Sequence, residues 1–398
     1  MSISKKVGRI MPSLTLEISA KAKKMKEDGI SVIGFGAGEP DFNTPDYIIE
    51  AAKKALDAGF TKYTPASGLE ALKKAVCLRF MVDKDLVYHP NNIVISSGAK
   101  SSLYHALAAI IDDGDEVIIP SPYWLSYPEM VNLVGGKSVF VKTEQKNGYL
   151  LTASQLESAI TDKTKCLILN SPSNPTGSVY SERELKDLAK VAEAHGIYVI
   201  SDEIYEKLIY GNETHYSIAG VSDKMKELTI VIGGVSKSYS MTGWRIGYLA
   251  APREIASAIS SMQSHTTSNA CTMSQHASIE ALTSEKSDDF IDNMREVFDE
   301  RRKCMIKMLG DIEGITFNKP KGAFYVFVNV SAHYGKKYNG ELVNDSMSFA
   351  DLALKRGIAV VPGVAFGDDN CIRLSYAISI EDIKEGLDRL KAFIEELK

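Results

Sequence analysis

Residues 232–250 read IGGVSKSYSMTGWRIGYLA. A β-rich run (Thr229, Ile230, Val231, Ile232) leads into the pair Gly233-Gly234, and a second apolar run begins at Ile246. Between them lies Lys237, set among small and hydroxyl-bearing residues. A lysine held between two buried strands is poorly solvated, which lowers its pKa and leaves a nucleophilic amine. Eight residues on, Arg245 offers a planar fork suited to a phosphate or carboxylate. A nucleophilic amine beside an anion clamp is what an aldehyde cofactor carrying a phosphate requires.

Short apolar runs of the same kind occur at Ile93–Ser97, Glu116–Ile119, Ser138–Val141, Cys166–Asn170, Tyr198–Ser201, Thr229–Gly233 and Ile246–Ala250. Helical patterns near 68–81, 99–111, 152–160 and 181–195 fall between most of them. Near-continuous apolar strands alternating with helices predict an α/β fold with a mostly parallel seven-stranded sheet covered on both faces. The last two strands are close enough to be neighbours joined by the Lys237 loop. Past residue 286 the texture changes. A long charged helix (288–309) is followed by strands at 322–328, 358–361 and 371–376, a helix at 347–356 and a final amphipathic helix from 380. This predicts a smaller α+β domain of residues 287–398 together with the N-terminal segment 1–44, beside a large domain of residues 45–286. In the N-terminal segment a helix over 13–29 is capped by Ser13 or Thr15, and Pro45 opens the next helix.

The bulk properties exclude several classes. Of 398 residues, 44% are hydrophobic and 24% charged, an ordinary globular balance, and a net charge of −5 gives no reason to expect nucleic acid or an anionic membrane as partner. The five cysteines are scattered and odd in number with no C-x-x-C, against a disulfide framework or thiolate metal site. No signal-peptide core and no run of 18 apolar residues is present, so a cytoplasmic enzyme is expected. SVIGFGAG (31–38) resembles a dinucleotide loop, but its glycines fall at 34, 36 and 38 and Pro40 stands where a helix should run. A ligand-sensing regulator would need a DNA-binding segment, and no helix-turn-helix pattern is visible.

In open α/β sheets the ligand sits beyond the carboxyl ends of the strands. After 93–97 come Gly98, Ala99 and Lys100 at a helix start, an anion site made of backbone N–H groups. After 166–170 comes SPSNPTG with Asn174, after 198–201 come Asp202 and Tyr205, and after 229–233 come Ser236 and Lys237. A carboxylate at a buried strand end must find a cation or several donors, or protonate, and a protonated pyridine nitrogen would satisfy Asp202.

The set NPTG, SDEIY and SKSYSMTGWRIGY resembles the class I pyridoxal-phosphate aminotransferases of fold type I, in the branch that includes many bacterial aspartate aminotransferases. The resemblance runs from about Gly8 to the C-terminus. It implies pyridoxal 5'-phosphate as cofactor, carried on Lys237, with Asp202 as partner of the ring nitrogen and Tyr205 and Asn174 as donors to the ring hydroxyl oxygen. It implies a phosphate cradle of Arg245, Gly98, Ala99, Lys100 and Ser236. Trp124, in SPYWLSYPEM, matches the aromatic residue beside the ring. Tyr63, in KYTPASG, matches a tyrosine reaching the phosphate from the partner subunit of a homodimer. Arg373, in CIRLSYA, matches the clamp on the substrate α-carboxylate, and Gly38, in AGEPDF, a backbone contact to it.

The implied reaction is transfer of an amino group from an L-amino acid to 2-oxoglutarate by a ping-pong route. Residues 261–277 contain no arginine for a distal carboxylate, whereas Lys100 and Thr15 match the acidic-side-chain recognition pair of aspartate- and prephenate-using members. Aspartate is the first expectation, prephenate or aromatic acids the alternative, and a lyase on the same scaffold a third. Lys100 has two candidate tasks, phosphate or substrate.

Overall fold

All seven apolar runs lie in one sheet of the computed structural model, which describes residues 3–4 and 7–398. The N-terminal segment 1–44 thus lies outside the described residues at positions 1, 2, 5 and 6. In chain order the first eight strands are β1 (Ile33–Gly34), β2 (Ile93–Ser96), β3 (Glu116–Ser121), β4 (Lys137–Lys142), β5 (Thr164–Asn170), β6 (Tyr198–Asp202), β7 (Thr229–Gly234) and β8 (Gly247–Ala250). The sheet order is β2-β8-β7-β6-β5-β3-β4. Every pairing is parallel except the two made by β8, which returns antiparallel between β2 and β7. The two runs flanking Lys237 are therefore neighbours, and the lysine sits in the loop between them.

The central runs are apolar at nearly every position because both faces of the sheet are covered there. Val94, Ile200, Ile230 and Ile232 pack with Leu103, Ala106 and Leu107 of the helix Ala99–Ile110. Val199, Leu167 and Leu169 point the other way, onto Leu185 and Leu188 of the helix Glu182–His195. That helix is opened by a capping box between Ser181 and Glu184.

Beyond residue 310 come β9 (Thr316–Phe317), β10 (Tyr325–Asn329), β11 (Lys337–Tyr338), β12 (Glu341–Leu342), β13 (Ile358–Ala359), β14 (Val361–Pro362) and β15 (Cys371–Ser375). They form a four-stranded sheet of order β14-β15-β10-β9 and two small pairs, β11-β12 and β1-β13. The expected single strand 358–361 is thus split: Ile358 and Ala359 pair with β1, whereas Val361 and Pro362 pair with β15. The helix Leu14–Glu27 joins this part, with Ile18 and Ala22 packed on Val32, Leu354 and Ala359. Its cap is Ser13, whose hydroxyl accepts from the Leu16 N–H. Pro45 stands one position before the next helix, Asp46–Asp57, rather than inside it.

Four helices had no counterpart in the sequence reading: Ser126–Val134, Asp223–Leu228, Arg253–Thr266 and Thr272–Thr283. The first contains Pro128 and the last buries Thr272, Ser274, Gln275 and Ser278, so neither shows an apolar stripe of helical period. No helix among the described residues is long and apolar enough to cross a membrane.

Candidate active site

The parallel strands end at a cavity of about 360 Å³. Of the expected residues, Thr15, Gly38, Ala99, Lys100, Trp124, Asn174, Asp202, Tyr205, Ser236, Lys237, Arg245 and Arg373 all line it. They come from positions as far apart as 15 and 373. Four of the lining side chains are cationic and one, Asp202, is a carboxylate, so the site is built for anionic ligands.

Lys237 follows β7 directly, and its Nζ donates to the Gly38 carbonyl at 2.6 Å. Burial is the largest influence on this amine. Glu39 works against it and Arg245 and Arg373 reinforce it, so the pKa falls to about 8. Arg245 ends a short 3-10 turn, Thr242–Trp244, in the left-handed region at φ 57°, a conformation that costs about 1 kcal/mol for a residue with a side chain. Its Nη1 donates to the Thr242 carbonyl at 2.9 Å, and the Thr242 hydroxyl donates to Glu39 Oε2 at 2.5 Å.

Asp202 closes β6 and is buried. Its Oδ2 accepts from the Tyr127 hydroxyl at 2.7 Å and its Oδ1 from the Ile204 N–H at 3.2 Å. Burial dominates these two donors and raises the carboxyl to about 6. Just behind it, Glu203 and Glu206 converge on the ammonium of Lys84, which donates to Glu203 at 2.6 Å and pairs with Glu206, and His215 Nε2 lies 2.9 Å from Glu203 Oε2. Burial would raise the Glu203 carboxyl, but Lys84 and His215 outweigh it and hold it well below the usual range. This buried ion cluster braces the strand end that presents Asp202.

Arg373, central on β15, is only 2% exposed. Its Nη1 donates to Asn174 Oδ1 at 2.9 Å and its Nη2 to the Gly36 carbonyl at 3.2 Å. Nε is buried without a hydrogen-bond partner, and no carboxylate among the described residues forms an ion pair with it. A buried guanidinium is costly unless an anion meets it, and the described residues supply Arg373 with none. Lys100, at the start of the helix Ala99–Ile110, places its ammonium 4.9 Å from the Trp124 ring centroid. Burial, then Arg245, lowers its pKa. The Thr15 hydroxyl is buried with no hydrogen-bond partner.

A family model, aminotransferase class I and II, matches residues 30–390. The chain belongs to this family. The aspartate aminotransferase of Bacillus sp. (strain YM-2) is 48% identical over 393 residues, covering 99% of each chain. A probable aspartate/prephenate aminotransferase of Aquifex aeolicus is 44% identical, again over 99% of each. The crystal structure of the aspartate aminotransferase from Rhizobium meliloti superposes with a TM-score of 0.96 at 39% identity over the whole of both chains.

Two expected residues behave differently in this aminotransferase. Gly98 does not line the cavity. Its N–H is spent on the Ser96 carbonyl at 2.7 Å. At φ 86° a Cβ here would run into the Arg245 guanidinium, so Gly98 contributes room for the clamp rather than a donor. Tyr63 is 90% exposed and does not line the cavity either. Sequence reasoning missed Tyr127, although it stands within the quoted SPYWLSYPEM, one turn beyond Trp124. It also missed Tyr325 and Gly36, for which no single-sequence signal distinguishes site from core.

One consequence concerns the cofactor-free protein. The unfolded Asp202 carboxyl ionises near 3.8, the folded one near 6. The folded state therefore binds the extra proton between these values, and its stability falls as pH rises through this window. Asp202→Asn is expected to raise the stability of the cofactor-free enzyme by about 3 kcal/mol at pH 7.5 and by nothing below pH 4, while turnover is lost. Thermal melts of both proteins at the two pH values check this; an equal gain at both would refute the electrostatic account.

Proposed function

We propose that this aminotransferase is a cytoplasmic homodimer that transfers the amino group of aspartate to 2-oxoglutarate, with pyridoxal 5'-phosphate carried on Lys237. The observation that carries the reading is the buried Arg373 without an anionic partner, in one cavity with a nucleophilic lysine and a buried carboxylate. The donor set fits the cofactor. The Ala99 and Lys100 backbone N–H groups at a helix start, with Ser236 and Arg245, suit its phosphate. Asp202 suits the ring nitrogen, and Tyr205 with the amide NH2 of Asn174 suits the ring oxygen. Trp124 suits the ring face. When bound, the cofactor supplies a carbonyl carbon that receives the amino group and a protonated ring that stores an electron pair.

The chain's own residues then divide the work. Arg373 fixes the α-carboxylate and so orients the Cα–H bond. Lys237 Nζ, with a pKa of about 8, has a usable neutral fraction near pH 7.5; it would take the Cα proton and give it back to the carbon on the far side of the amino nitrogen. Asp202 keeps the ring nitrogen protonated. Lys100 and Thr15 meet the side-chain carboxylate.

Lys100→Ala is expected to lower kcat/KM for aspartate by about 10- to 150-fold, the worth of one charge-assisted hydrogen bond, and to change that for alanine little. Equal losses on both donors would assign Lys100 to the phosphate. The main test is a donor panel with 2-oxoglutarate and oxaloacetate as acceptors, and prephenate added as an acceptor. A preference for alanine or aromatic donors over aspartate would overturn the reading. Prephenate is the second reading because the unpartnered Thr15 hydroxyl gives the site one more donor toward a bulky dicarboxylate.

The exposure of Tyr63 supports the dimer, in which it would reach the phosphate of a second copy of the chain; sedimentation velocity tests it. Five free cysteines suit a reducing compartment. The division near residue 286 belongs to the same proposal. It is supported by the large sheet lying within residues 93–250 and the four-stranded sheet within 316–375. Closure of the smaller part would exclude water from the reacting atoms.

A further inference from the structure

Tyr325 touches both ends of the cavity. It opens β10, is 1% exposed and lines the pocket. Its hydroxyl lies 3.0 Å from that of Tyr205. The Arg373 guanidinium stands 4.3 Å from its ring centroid and 5.0 Å from that of Phe366. The β10-β15 register explains the second contact. Phe327 is paired with Arg373 and Tyr325 with Ser375, so Tyr325 is the diagonal neighbour of Arg373 on the same face.

A phenol has one proton to give. If Tyr205 gave its proton to Tyr325, it would have none for a ligand in the cavity. Burial raises both phenols, and the Arg373 guanidinium draws both down. Either hydroxyl could donate across the 3.0 Å contact, but once Tyr205 gives its proton to an oxygen in the cavity, only Tyr325 can donate across it. On the other side, two aromatic faces stand where a buried guanidinium has no carboxylate, a cation–π arrangement that strengthens when desolvated.

We propose that Tyr325 is a positioning residue that joins the two ends of the site: its hydroxyl orients the Tyr205 proton toward the cofactor's ring oxygen, and its ring seats the Arg373 guanidinium for the substrate carboxylate. The proposal rests on the functional reading above. Tyr325→Phe removes the hydroxyl and keeps the ring, whereas Tyr325→Leu removes both.

The test uses the holoenzyme, following its visible absorbance against pH and its binding of maleate, a dicarboxylate that cannot react. The charged groups around Lys237 Nζ (Glu39, Asp202, Arg245 and Arg373) are the same in all three proteins. In Tyr325→Phe the weakened Tyr205 donor leaves the ring oxygen more basic. The absorbance midpoint is expected to rise by about half to one pH unit, with maleate binding changed less than about twofold. In Tyr325→Leu maleate binding is expected to weaken at least about fivefold as well. A midpoint that stays or falls in Tyr325→Phe overturns the proposal. So does a folded, cofactor-loaded Tyr325→Leu that binds maleate like the parent; if that variant does not fold, the phenylalanine titration decides alone. A parent protein that takes up no pyridoxal phosphate shows no visible band at all, and this separates failure of the functional reading from failure of the role given to Tyr325.

Discussion

Lys237→Ala is expected to lower turnover by about 10⁴-fold or more, because in the proposed mechanism one substitution removes both the general base and the covalent attachment point. The fold should survive. Lys237 makes one hydrogen bond, to the Gly38 carbonyl, and its burial is a cost rather than a gain. The unfolded lysine titrates at 10.5 and the folded one at about 8. Below about pH 8 both states carry the proton, and the folded state bears a penalty of about 3 kcal/mol; between pH 8 and 10.5 that penalty is relieved. The cofactor-free alanine variant is therefore expected to melt no lower than the parent at pH 7, and its relative advantage should shrink as pH rises through that window. Steady-state rates and melts at pH 7 and 10 check both parts. Borohydride reduction of the parent followed by peptide mapping should place the cofactor on Lys237. A label on another lysine would sink the assignment.

Arg373→Leu is expected to lower kcat/KM for aspartate by about 30- to 5,000-fold, the range for deleting one partner of a buried charge pair. The loss should appear in maleate affinity too, because the arginine binds before any chemistry. Stability should change much less than activity. The substitution removes an unpaired buried charge, which favours the folded state, but strands the Gly36 carbonyl and Asn174 Oδ1 that it now engages. A variant that keeps its maleate affinity would show that the carboxylate is held elsewhere. Together the two variants separate the ends of the reaction, since one loses proton transfer and the other loses orientation.

Much of the large sheet was legible because burial on both faces leaves an unbroken apolar run at each strand, as at Ile230–Ile232. Residues that line the cavity were legible where they follow such runs: Asn174 after β5, Asp202 at the end of β6, Ser236 and Lys237 after β7. Chain direction in a parallel sheet places those positions at one edge. Arg373 is different. It lies inside a short strand of the other sheet, where neither periodicity nor neighbours separate a ligand clamp from an ion-pair residue, and only the resemblance singled it out. The helices at 253–266 and 272–283 were not legible, because buried serines, threonines and glutamines satisfied by tertiary hydrogen bonds look polar in a sequence. Gln263, which donates to the Ala66 and Ile95 carbonyls, and Gln275, which accepts from the Leu69 N–H, are two of these.

The roles of Gly98, Thr15 and Tyr325 are of another kind. Each depends on what stands opposite: the Arg245 guanidinium against the missing Cβ, an absent partner for a hydroxyl, and Tyr205 with Arg373 at either side of one ring. By itself the sequence determined the strand set, the order of the chemical groups along the chain and the family they resemble, because local burial and strand-end position are written in short runs of residues. Only the tertiary structure decided which of those groups face one another, that Arg373 is buried without a counter-charge, and that Tyr325 links it to Tyr205. Charge compensation and proton direction are relations between residues up to hundreds of positions apart, and no local pattern encodes them.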